Sequence, residues 1–319
     1  MGRPTLRPIT REDFPAVIDL HRASTTFDGA PQVMTLGELE DEFDDEHVVL
    51  GTDTMLALVD DEPVGYAYTY HLPSEVREER CYIWGQVAPA HRRAGIGTAL
   101  MEWAIERAEA QLRSSGRSLP RYIRTDRYHH ITGAHALFER MGMRPVRYME
   151  ELLRPLTDLP PIPTVAGIRV LPWPDDRDEA IREEKNASFA DHWGSTPTTP
   201  SHWQQMVRGH GARPDLSFIA VDDADRVVAH CINHRFAEDD ELLGRSDGWI
   251  DNLGTLREWR GHGIASALVA HSLHAFAAAG LSHASIGVDS ENPSGAARLY
   301  RALGFEPHQR SITHELEVH

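Results

Sequence analysis

The chain has 319 residues, of which 41% are hydrophobic and 25% charged, a composition typical of globular proteins and a length sufficient for two domains. The formal net charge of −17 argues against nucleic-acid binding, because nucleic-acid phosphates attract basic surfaces. No apolar run reaches the roughly 18 residues of a membrane span, and no signal peptide is visible. We therefore expect a cytoplasmic protein that binds neither nucleic acid nor a membrane.

The first half of the chain begins with a strand, a helix and a hairpin. Thr10 follows a β-rich run at 5–9 and is a typical helix N-cap, and the predicted helix continues through Phe14. Two further β-rich runs, 55–59 and 64–68, are separated by turn residues and predict a hairpin. After the hairpin we predict a strand, a glycine-bearing loop, a helix, a strand and a last helix.

The second half of the chain repeats this order of elements. A β-rich run at 167–171 precedes a helix through Ile181, and the runs 217–221 and 227–231 predict a second hairpin. The same further strand, glycine-bearing loop, helix, strand and last helix follow. One α/β domain is therefore predicted to occur twice.

Matching positions in the two halves keep a nearly constant separation. Gly95 and Gly263, in the two glycine-bearing loops, are 168 positions apart (263 − 95). Gly142 and Gly304, which follow the last helix of each half, are 162 positions apart (304 − 142). Separations that differ only by the length of a loop indicate a duplicated domain.

A proline-rich stretch separates the two copies. The segment 155–166 contains four prolines, which can neither continue a helix nor pair in the middle of a sheet. We therefore predict an N-terminal domain at 1–154, a stiff linker at 155–166 and a C-terminal domain at 167–319.

Each glycine-bearing loop has the form Arg-x-x-Gly-x-Gly/Ala, at 92–97 and at 260–265, between an apolar strand and a helix. Small residues let the backbone approach a ligand closely. The first-turn amides of the helix lack intrahelical partners and point outward beside the positive end of the helix dipole. Because the loop occurs twice in the same context, it favours phosphate binding, with a diphosphate as the natural ligand, over a plain turn.

The segments 87–100 and 255–268, which contain these loops, resemble the acetyl-coenzyme A motif of the GNAT N-acetyltransferase superfamily. The resemblance extends over nearly the whole chain except the linker. It implies an α/β (α+β) fold of two tandem GNAT-type domains, each a mixed, largely antiparallel twisted sheet flanked by helices. It also implies acetyl-CoA as the cofactor. The tandem layout is similar to that of mycothiol synthases, which carry a strand glutamate where this chain has Trp249.

The same resemblance implies which residues bind acetyl-CoA. Loop amides would hold the pyrophosphate, and main-chain groups of the preceding strand would pair with the pantetheine and polarise the thioester carbonyl. In the C-terminal copy the implied residues are Leu253, Gly254, Thr255, Arg260, Gly261, His262, Gly263, Ile264, Ala265, Ser266 and Asn292. In the N-terminal copy they are Gly85, Val87, Arg92, Arg93, Ala94, Gly95, Ile96, Gly97 and Thr98.

Acetylation of an amine also requires a proton donor for the departing thiolate. The family often uses a tyrosine of the last helix, and Tyr300 occupies that place in the C-terminal copy. The N-terminal copy has Phe138 there, and His130 where the other copy has Asn292. Because a phenyl ring cannot donate a proton, we predict that the N-terminal copy is degenerate and that the C-terminal copy carries the reaction.

The general base has two candidates. Asp251 is the preferred one, since it lies on the strand that enters the predicted splay, and strand alternation places it on the same face as Asp247 and Trp249. The acidic run 238–241 is the alternative, although such runs are usually solvated loops. The Ser/Thr/Pro-rich segment 192–203 is a candidate of another kind, since it is predicted to be a loop that contacts the substrate.

These residues together predict an N-acetyltransferase that moves an acetyl group from acetyl-CoA to a primary amine of a small molecule, with Tyr300 and Asp251 as catalytic residues. The histidines show no metal-ligand spacing, so no metal site is predicted. The alternative is a non-catalytic acyl-CoA-binding or sensing protein, which Phe138 and Trp249 would suit. Binding of coenzyme A to the N-terminal copy is left open, as is the choice between a monomer and a homodimer.

Overall fold

The computed structural model describes residues 4–30, 33–290 and 296–319. The chain divides into two compact units: residues 1–148 with 311–319 form unit 1, and residues 149–310 form unit 2. Within the described ranges, no helix combines the length and the apolar character needed to cross a membrane.

The described residues form strands and helices in the predicted order. The strands are Thr5–Arg7 (β1), Thr54–Val59 (β2), Glu62–Leu72 (β3), Glu79–Val87 (β4), Arg121–Tyr128 (β5), Arg144–Pro155 (β6), Ile168–Pro172 (β7), Phe218–Asp222 (β8), Val227–His234 (β9), Asp247–Thr255 (β10), His283–Asp289 (β11) and Glu306–Val318 (β12). The α-helices are Phe14–Asp28 (α1), Leu36–Phe43 (α2), Leu50–Asp53 (α3), Ile96–Ser114 (α4), Thr132–Arg140 (α5), Asp178–Ser188 (α6), Pro200–Arg208 (α7), Asp240–Leu243 (α8), Ile264–Ala278 (α9) and Ala296–Ala302 (α10).

Unit 1 is built on a sheet of order β1-β2-β3-β4-β5-β12. Every neighbouring pair in it is antiparallel except β4 and β5. Residues 311–318 of β12 complete the sheet, with Ser311 opposite Tyr128 and Val318 opposite Arg121. Helices α1 and α2 bury their apolar side chains against one face, and α4 and α5 against the other. The prediction of a mixed, largely antiparallel sheet flanked by helices is confirmed.

Unit 2 repeats this arrangement with the order β6-β11-β10-β9-β8-β7. Its parallel pair is β10 and β11, and its other pairs are antiparallel. Residues 149–155 of β6 complete the sheet, with Met149 opposite Asp289 and Pro155 opposite His283. Helices α9 and α10 pack on one face, and α6 and α7 pack on the other.

The last strand of each sequence copy therefore pairs within the unit of the other copy. Strand β6 ends the N-terminal copy in sequence but pairs with β11 of unit 2, whereas β12 ends the C-terminal copy and pairs with β5 of unit 1. The compact units for this reason differ from the predicted domains 1–154 and 167–319. The repeat in the sequence marks the order of elements, and it carries no information about which sheet receives the final strand.

Local signals account for where the elements begin and turn. The backbone N–H of Thr10 donates to the Asp13 carboxylate at 2.8 Å, and this capped turn leads into α1 as predicted. The hairpin of β2 and β3 turns through Asp60 and Asp61 with φ of 52° and 66°. The hairpin of β8 and β9 turns through Asp225 with φ of 64°. Aspartate tolerates this left-handed conformation better than most residues.

The segment 156–166 contains neither helix nor strand and lies on unit 2. The backbone N–H of Leu156 donates to the carbonyl of Ser282 at 2.9 Å, and His274 Nε2 lies 2.9 Å from the carbonyl oxygen of Pro160. Leu156 is buried in the core of unit 2, and Val165 packs against the same core. These contacts attach the predicted linker to unit 2.

Strand β10 contains an irregularity that β4 lacks. Its register against β9 shifts between Ile250 and Asn252, which makes Asp251 an extra, bulged residue. In unit 1 the pairing of β4 with β3 runs without interruption from Val87 to Arg80. Asp251 therefore has no counterpart in unit 1.

Gly248 of β10 offers a test of the packing in unit 2. An ideal Cβ at this position would lie 2.5 Å from ring atoms of Phe276, whose side chain is fully buried and cannot move aside. We expect Gly248→Ala to lower the free energy of unfolding by about 1–3 kcal/mol, measured by urea denaturation. Gly287→Ala on the neighbouring strand is the matched control, since its nearest atom would lie at 3.6 Å. Equal losses in the two variants would contradict the steric explanation.

Candidate active site

The two glycine-bearing loops adopt the same backbone conformation. Gly261 and Gly263, before α9, have φ of +80° and +85°. The equivalent Arg93 and Gly95, before α4, have φ of +64° and +87°. An ideal Cβ on Gly95 or Gly261 would meet no atom within 4 Å. Both helix N-termini therefore face open space with first-turn amides that lack intrahelical partners, which suits an anionic diphosphate.

The first arginine of each loop fixes the loop to the rest of its unit. Arg260 donates from Nε to the carbonyl of Thr255 at 3.2 Å and from Nη2 to the carbonyl of Ser188 at 2.6 Å. Arg92 donates from Nε to the carbonyl of Val87 at 3.0 Å, and its two Nη atoms bind the carboxylate of Asp28. These guanidinium groups already have partners, so their contribution to a cofactor site is to shape the loop.

A gap opens in each sheet next to its loop. The parallel pairing of β10 with β11 ends at Ile250, and that of β4 with β5 ends at Tyr82. Leu253, Gly254 and Thr255 of β10 lie beyond the last pair, as the resemblance to GNAT enzymes implied.

Unit 1 contains a cavity of about 630 Å³ along this gap and loop. The predicted cofactor-binding residues of the N-terminal copy that line it are Gly85, Val87, Arg92, Arg93, Gly95, Gly97 and Thr98. Ala94 is exposed, and Ile96 is 2% exposed and belongs to the core. His130 and Phe138 also line the cavity. Binding of coenzyme A by this copy was left open from the sequence, and the structure has a cavity, open to solvent on one side, at the predicted position.

Internal hydrogen bonds occupy part of the strand edge in unit 1. Arg127 Nη2 donates to the carbonyl of Gly85 at 2.5 Å, and Ser24 Oγ donates to the carbonyl of Val87 at 3.1 Å. Arg127 was missed in the sequence analysis because a strand arginine carries no local sign that it reaches the neighbouring strand. A ligand in this cavity would have to replace these bonds to pair with the same carbonyls.

Tyr300 and Phe138 occupy corresponding places on the last helix of each unit, and both are nearly buried, at 5% and 4% exposed. Burial raises the pKa of Tyr300, and the neighbouring thiol of Cys231 raises it further. The phenol therefore keeps its proton at neutral pH. Burial also raises the pKa of Cys231, to about 12, and the negative charge of Asp251 contributes in the same direction. The thiol of Cys231 therefore also keeps its proton at neutral pH.

The two predicted carboxylates of β10 have different surroundings. Asp247 is buried, receives hydrogen bonds from Arg245 Nε at 2.9 Å and from Ser285 Oγ at 2.8 Å, and is thereby held in the fold. Asp251 is exposed. The expectation that strand alternation relates Asp251 to Asp247 is wrong, because the bulge at Asp251 interrupts the alternation.

The other sequence candidates lie in three different settings. Asn292 lies outside the described residues, whereas His130, its counterpart, has Nε2 2.8 Å from the carbonyl oxygen of Asp28. In the acidic run 238–241, Asp240 pairs with Arg235 and is thus engaged locally. The segment 192–203 was predicted to be a loop, but its end belongs to α7, where Trp203 is 1% exposed. That part of the prediction is wrong.

The sequence analysis also missed a buried polar chain in unit 2. His230 of β9 lies between Glu184 of α6 and Asn252 of β10. The available signal was a histidine inside an otherwise apolar strand, followed by Cys231. Nothing local in the sequence connects it to a glutamate 46 positions earlier.

Burial penalises the charged form of Glu151 in unit 2 and raises its pKa from the ordinary 4.5 to about 7. The positive charge of Arg245 opposes this increase, and the negative charge of Asp247 adds to it. A carboxyl with a raised folded-state pKa stabilises the fold fully below pH 4.5, and this stability is lost as the pH rises through 7. We expect Glu151→Gln to exceed the wild type in stability at pH 8 by about 2 kcal/mol. Urea denaturation at pH 5 and pH 8 measures the difference.

The control for this prediction is Glu306→Gln, which changes an exposed carboxylate in the same unit. We expect its difference from the wild type to be small, because the side chain is exposed. A Glu151→Gln advantage of equal size at pH 5 and pH 8 would contradict the raised pKa.

Residues 14–143 and 178–305 match the acetyltransferase (GNAT) family. The chain therefore belongs to the GNAT family and is an acetyl-CoA-dependent N-acetyltransferase with two tandem GNAT domains. Members of this family use acetyl-CoA.

Relatives and solved structures extend this result. The mycothiol acetyltransferase of Tsukamurella paurometabola is 28% identical over 238 residues, which is 72% of this chain and 75% of the relative. That of Streptomyces coelicolor is 28% identical over 328 residues, 99% of this chain and 97% of the relative. A GCN5-related N-acetyltransferase from Sphaerobacter thermophilus has a TM-score of 0.76 and 27% identity, covering 99% of this chain and 96% of that one. A tandem GNAT protein of the clavulanic acid pathway has the same fold, with a TM-score of 0.73, 17% identity and coverage of 99% and 98%.

Proposed function

We propose that unit 2 transfers the acetyl group of acetyl-CoA to a primary amine of a small molecule, with Tyr300 as the general acid and Asp251 as the general base. The observation that carries the proposal is that the gap beyond Ile250 in unit 2 is accompanied by an exposed, bulged carboxylate, Asp251, and by a phenol, Tyr300, that is buried in the core of the same unit. Unit 1 has Phe138 and an unbulged β4 at the corresponding places, and therefore offers neither group.

The residues of unit 2 supply the functions that amine acetylation requires. Acetyl-CoA supplies the activated acetyl group. The amides at the start of α9 bind its diphosphate, and backbone N–H groups on the edge of β10 that no longer pairs with β11 after Ile250 stabilise negative charge on the thioester oxygen. Asp251 accepts a proton from the incoming amine, and Tyr300 donates its phenolic proton to the sulfur that leaves. The exposure of Asp251 suits a base that meets a substrate entering from solvent.

Unit 1 is proposed to bind coenzyme A without turnover. Its cavity of about 630 Å³ includes the loop that precedes α4 and the strand edge at Gly85 and Val87. Phe138 lines this cavity but has no proton to transfer.

The small-molecule amine is supported by the two mycothiol acetyltransferases that share 28% of their residues with this chain. We do not propose the mycothiol precursor as the amine. Mycothiol synthases carry a strand glutamate at the position of Trp249, and a tryptophan can neither accept a proton nor pair with an ammonium group. The net charge of −17 is compatible with a cationic acceptor.

The test is release of free thiol from acetyl-CoA in the presence of a panel of primary amines, combined with calorimetry of acetyl-CoA binding. We expect amine-dependent thiol release. Binding of acetyl-CoA without thiol release for any amine of the panel would overturn the proposal in favour of a non-catalytic acyl-CoA-binding protein. Release that persists without an amine would indicate thioester hydrolysis and would equally contradict it.

A further inference from the structure

An arginine projects into the cavity of unit 1 beside the edge of β4. Strand β4 runs toward the glycine-bearing loop, so Val87 lies nearer to the loop along the strand than Gly85 does. Arg127 of β5 lines the cavity, and its Nη2 donates to the carbonyl of Gly85 at 2.5 Å. The guanidinium group therefore lies at the level of Gly85, at the part of the strand edge that is farther from the loop.

This guanidinium group has carbonyl partners but no carboxylate partner. Besides the bond to Gly85, its Nη1 donates to the carbonyl of Asp126 at 2.7 Å. Among the residues that the structure describes, none forms an ion pair with Arg127. Backbone carbonyls are neutral, and these two occupy only some of the N–H groups of a guanidinium. The positive charge is therefore available to an anionic ligand in the cavity.

The surroundings of Arg127 favour binding of an anion. Burial raises the pKa of the Tyr66 phenol, and the positive charge of Arg127 opposes this increase, so the guanidinium lies within electrostatic reach of that side chain. Tyr66 is 2% exposed and also lines the cavity, together with the apolar Ile83 and Phe138. Opposite charges attract each other more strongly where such side chains displace water.

Unit 2 has the opposite charge at the corresponding position. The parallel pairing of each sheet starts at Arg121 in β5 and at His283 in β11. Arg127 and Asp289 both lie six positions later (127 − 121 and 289 − 283). Asp289 is 7% exposed. An acidic ligand group that suits Arg127 in unit 1 is therefore matched by a carboxylate, which would repel it, in unit 2.

A coenzyme A thioester would bring its acyl group to this arginine. With the diphosphate at the start of α4, a ligand that follows the edge of β4 passes Val87 before it reaches Gly85. The acyl group is the end of the thioester that is farthest from the diphosphate. A carboxylate is the group that a guanidinium binds best, because two parallel N–H groups match its two oxygen atoms.

We propose that unit 1 binds the coenzyme A thioester of a dicarboxylic acid, whose free carboxylate pairs with Arg127. The guanidinium then turns from the carbonyl of Gly85 to the ligand, which leaves that carbonyl free to pair with the pantetheine. The smallest ligands of this class are malonyl-CoA and succinyl-CoA. This inference rests on the proposed binding of coenzyme A by unit 1 and adds the chemical class of the acyl group. It involves binding alone, with no bond made or broken.

The experiment compares malonyl-CoA with isovaleryl-CoA, whose acyl groups have the same size and branching but differ in the carboxylate. Calorimetry on full-length Gly263→Asp protein, in which the new carboxylate repels the diphosphate from unit 2, gives the Kd of unit 1. We expect the Kd of malonyl-CoA to be about 10- to 100-fold lower, the value of a hydrogen bond to a charged group. Succinyl-CoA and 4-methylvaleryl-CoA repeat the comparison with a longer acyl chain.

Substitutions of Arg127 test whether it is the residue that binds the carboxylate. We expect Arg127→Met, which keeps the length of the side chain without its charge, to bind both thioesters of each pair equally. Arg127→Lys keeps the charge without the parallel N–H groups and is expected to lose most of the preference. The matched control is Arg140→Met, since Arg140 also lines the cavity but donates to Thr98 Oγ1 at the start of α4. We expect this variant to change the Kd of both thioesters by the same factor.

A free anion that binds beside coenzyme A is a second source of the carboxylate. Titration of coenzyme A in excess sodium malonate, compared with sodium chloride of equal ionic strength, distinguishes the two sources. We expect the same Kd of coenzyme A in both salts. A lower Kd in malonate would overturn the assignment to an acyl carboxylate.

The outcomes distinguish this inference from the proposal on which it rests. Absence of binding of every thioester to the Gly263→Asp protein would overturn the binding of coenzyme A by unit 1 together with this inference. Equal Kd values within both pairs, or a preference that Arg127→Met keeps, would overturn the acidic acyl group alone. So would a preference that full-length Gly95→Asp protein keeps, because its unit 1 loop carries the repelling carboxylate. Should Arg127→Met fail to fold, as judged by thermal melting, an undiminished preference in Arg127→Lys would overturn the pairing.

Discussion

Replacing Tyr300 by phenylalanine is expected to lower kcat by about 10² to 10⁴-fold, the usual contribution of a general acid or base. The phenyl ring keeps the packing of this nearly buried side chain but has no proton to donate. Because the pKa of Tyr300 is raised, the wild-type phenol is protonated throughout the neutral range. Affinity for acetyl-CoA should stay unchanged, since the diphosphate binds elsewhere. Thiol-release kinetics and calorimetry on the same preparation measure the two effects.

The control for this substitution is Tyr70→Phe in unit 1. Tyr70 is also buried, and its hydroxyl interacts with Asp45, so the variant loses a buried hydroxyl of the unit to which no chemistry is assigned. We expect no change in kcat. Full turnover by Tyr300→Phe would remove Tyr300 as the acid.

Replacing Gly95 or Gly263 by aspartate should show which unit carries out turnover and which only binds acetyl-CoA. Gly263 and Gly95 have φ of +85° and +87°, which aspartate adopts at lower cost than most residues, and each is the N-cap of the helix that we propose binds the diphosphate. A carboxylate about 4 Å from a phosphate costs about 4 kcal/mol at an effective dielectric constant of about 20, or roughly 10³-fold in Kd. We expect Gly263→Asp to abolish turnover. We expect Gly95→Asp to remove one of two acetyl-CoA binding events while turnover continues.

Gly280→Asp provides the control for backbone strain. Gly280 has φ of +80°, its Cβ would meet no atom within 4 Å, and it lies after the other end of α9. Loss of turnover in Gly95→Asp but not in Gly263→Asp would place the chemistry in unit 1. Wild-type binding of a single equivalent of acetyl-CoA would contradict the proposed role of the unit 1 cavity.

The parts of the fold that depend on local physics could be predicted from the sequence. Thr10 begins the first helical segment because its cap involves residues only three positions apart. The paired loops could be predicted because glycine at 95 and 263 permits a positive φ and leaves the helix amides open. The repetition of each pattern at a fixed separation identified the duplicated fold.

The features that depend on distant residues could not be predicted. The bulge at Asp251 arises from the pairing of β10 with β9, and nothing in the sequence around it departs from an ordinary strand. The arginines at 92 and 260 were predicted to bind the cofactor as part of the loops, and the carbonyl groups and the Asp28 carboxylate that their guanidinium groups bind could not be predicted. The contacts of His230 join positions that are 46 and 22 residues away in sequence. Tyr300 was identified through the resemblance to GNAT enzymes, and its role stays a prediction.

The exchange of the last strands bears on how a duplicated gene evolves. A gene that lost its N-terminal half would delete 149–155 and expose the backbone of β11, and residues 311–318 would lose β5 as their partner. Phe138 in place of a tyrosine therefore does not make the N-terminal copy dispensable. Selection on either half alone is enough to retain both halves, and neither half can be inherited as an independent module.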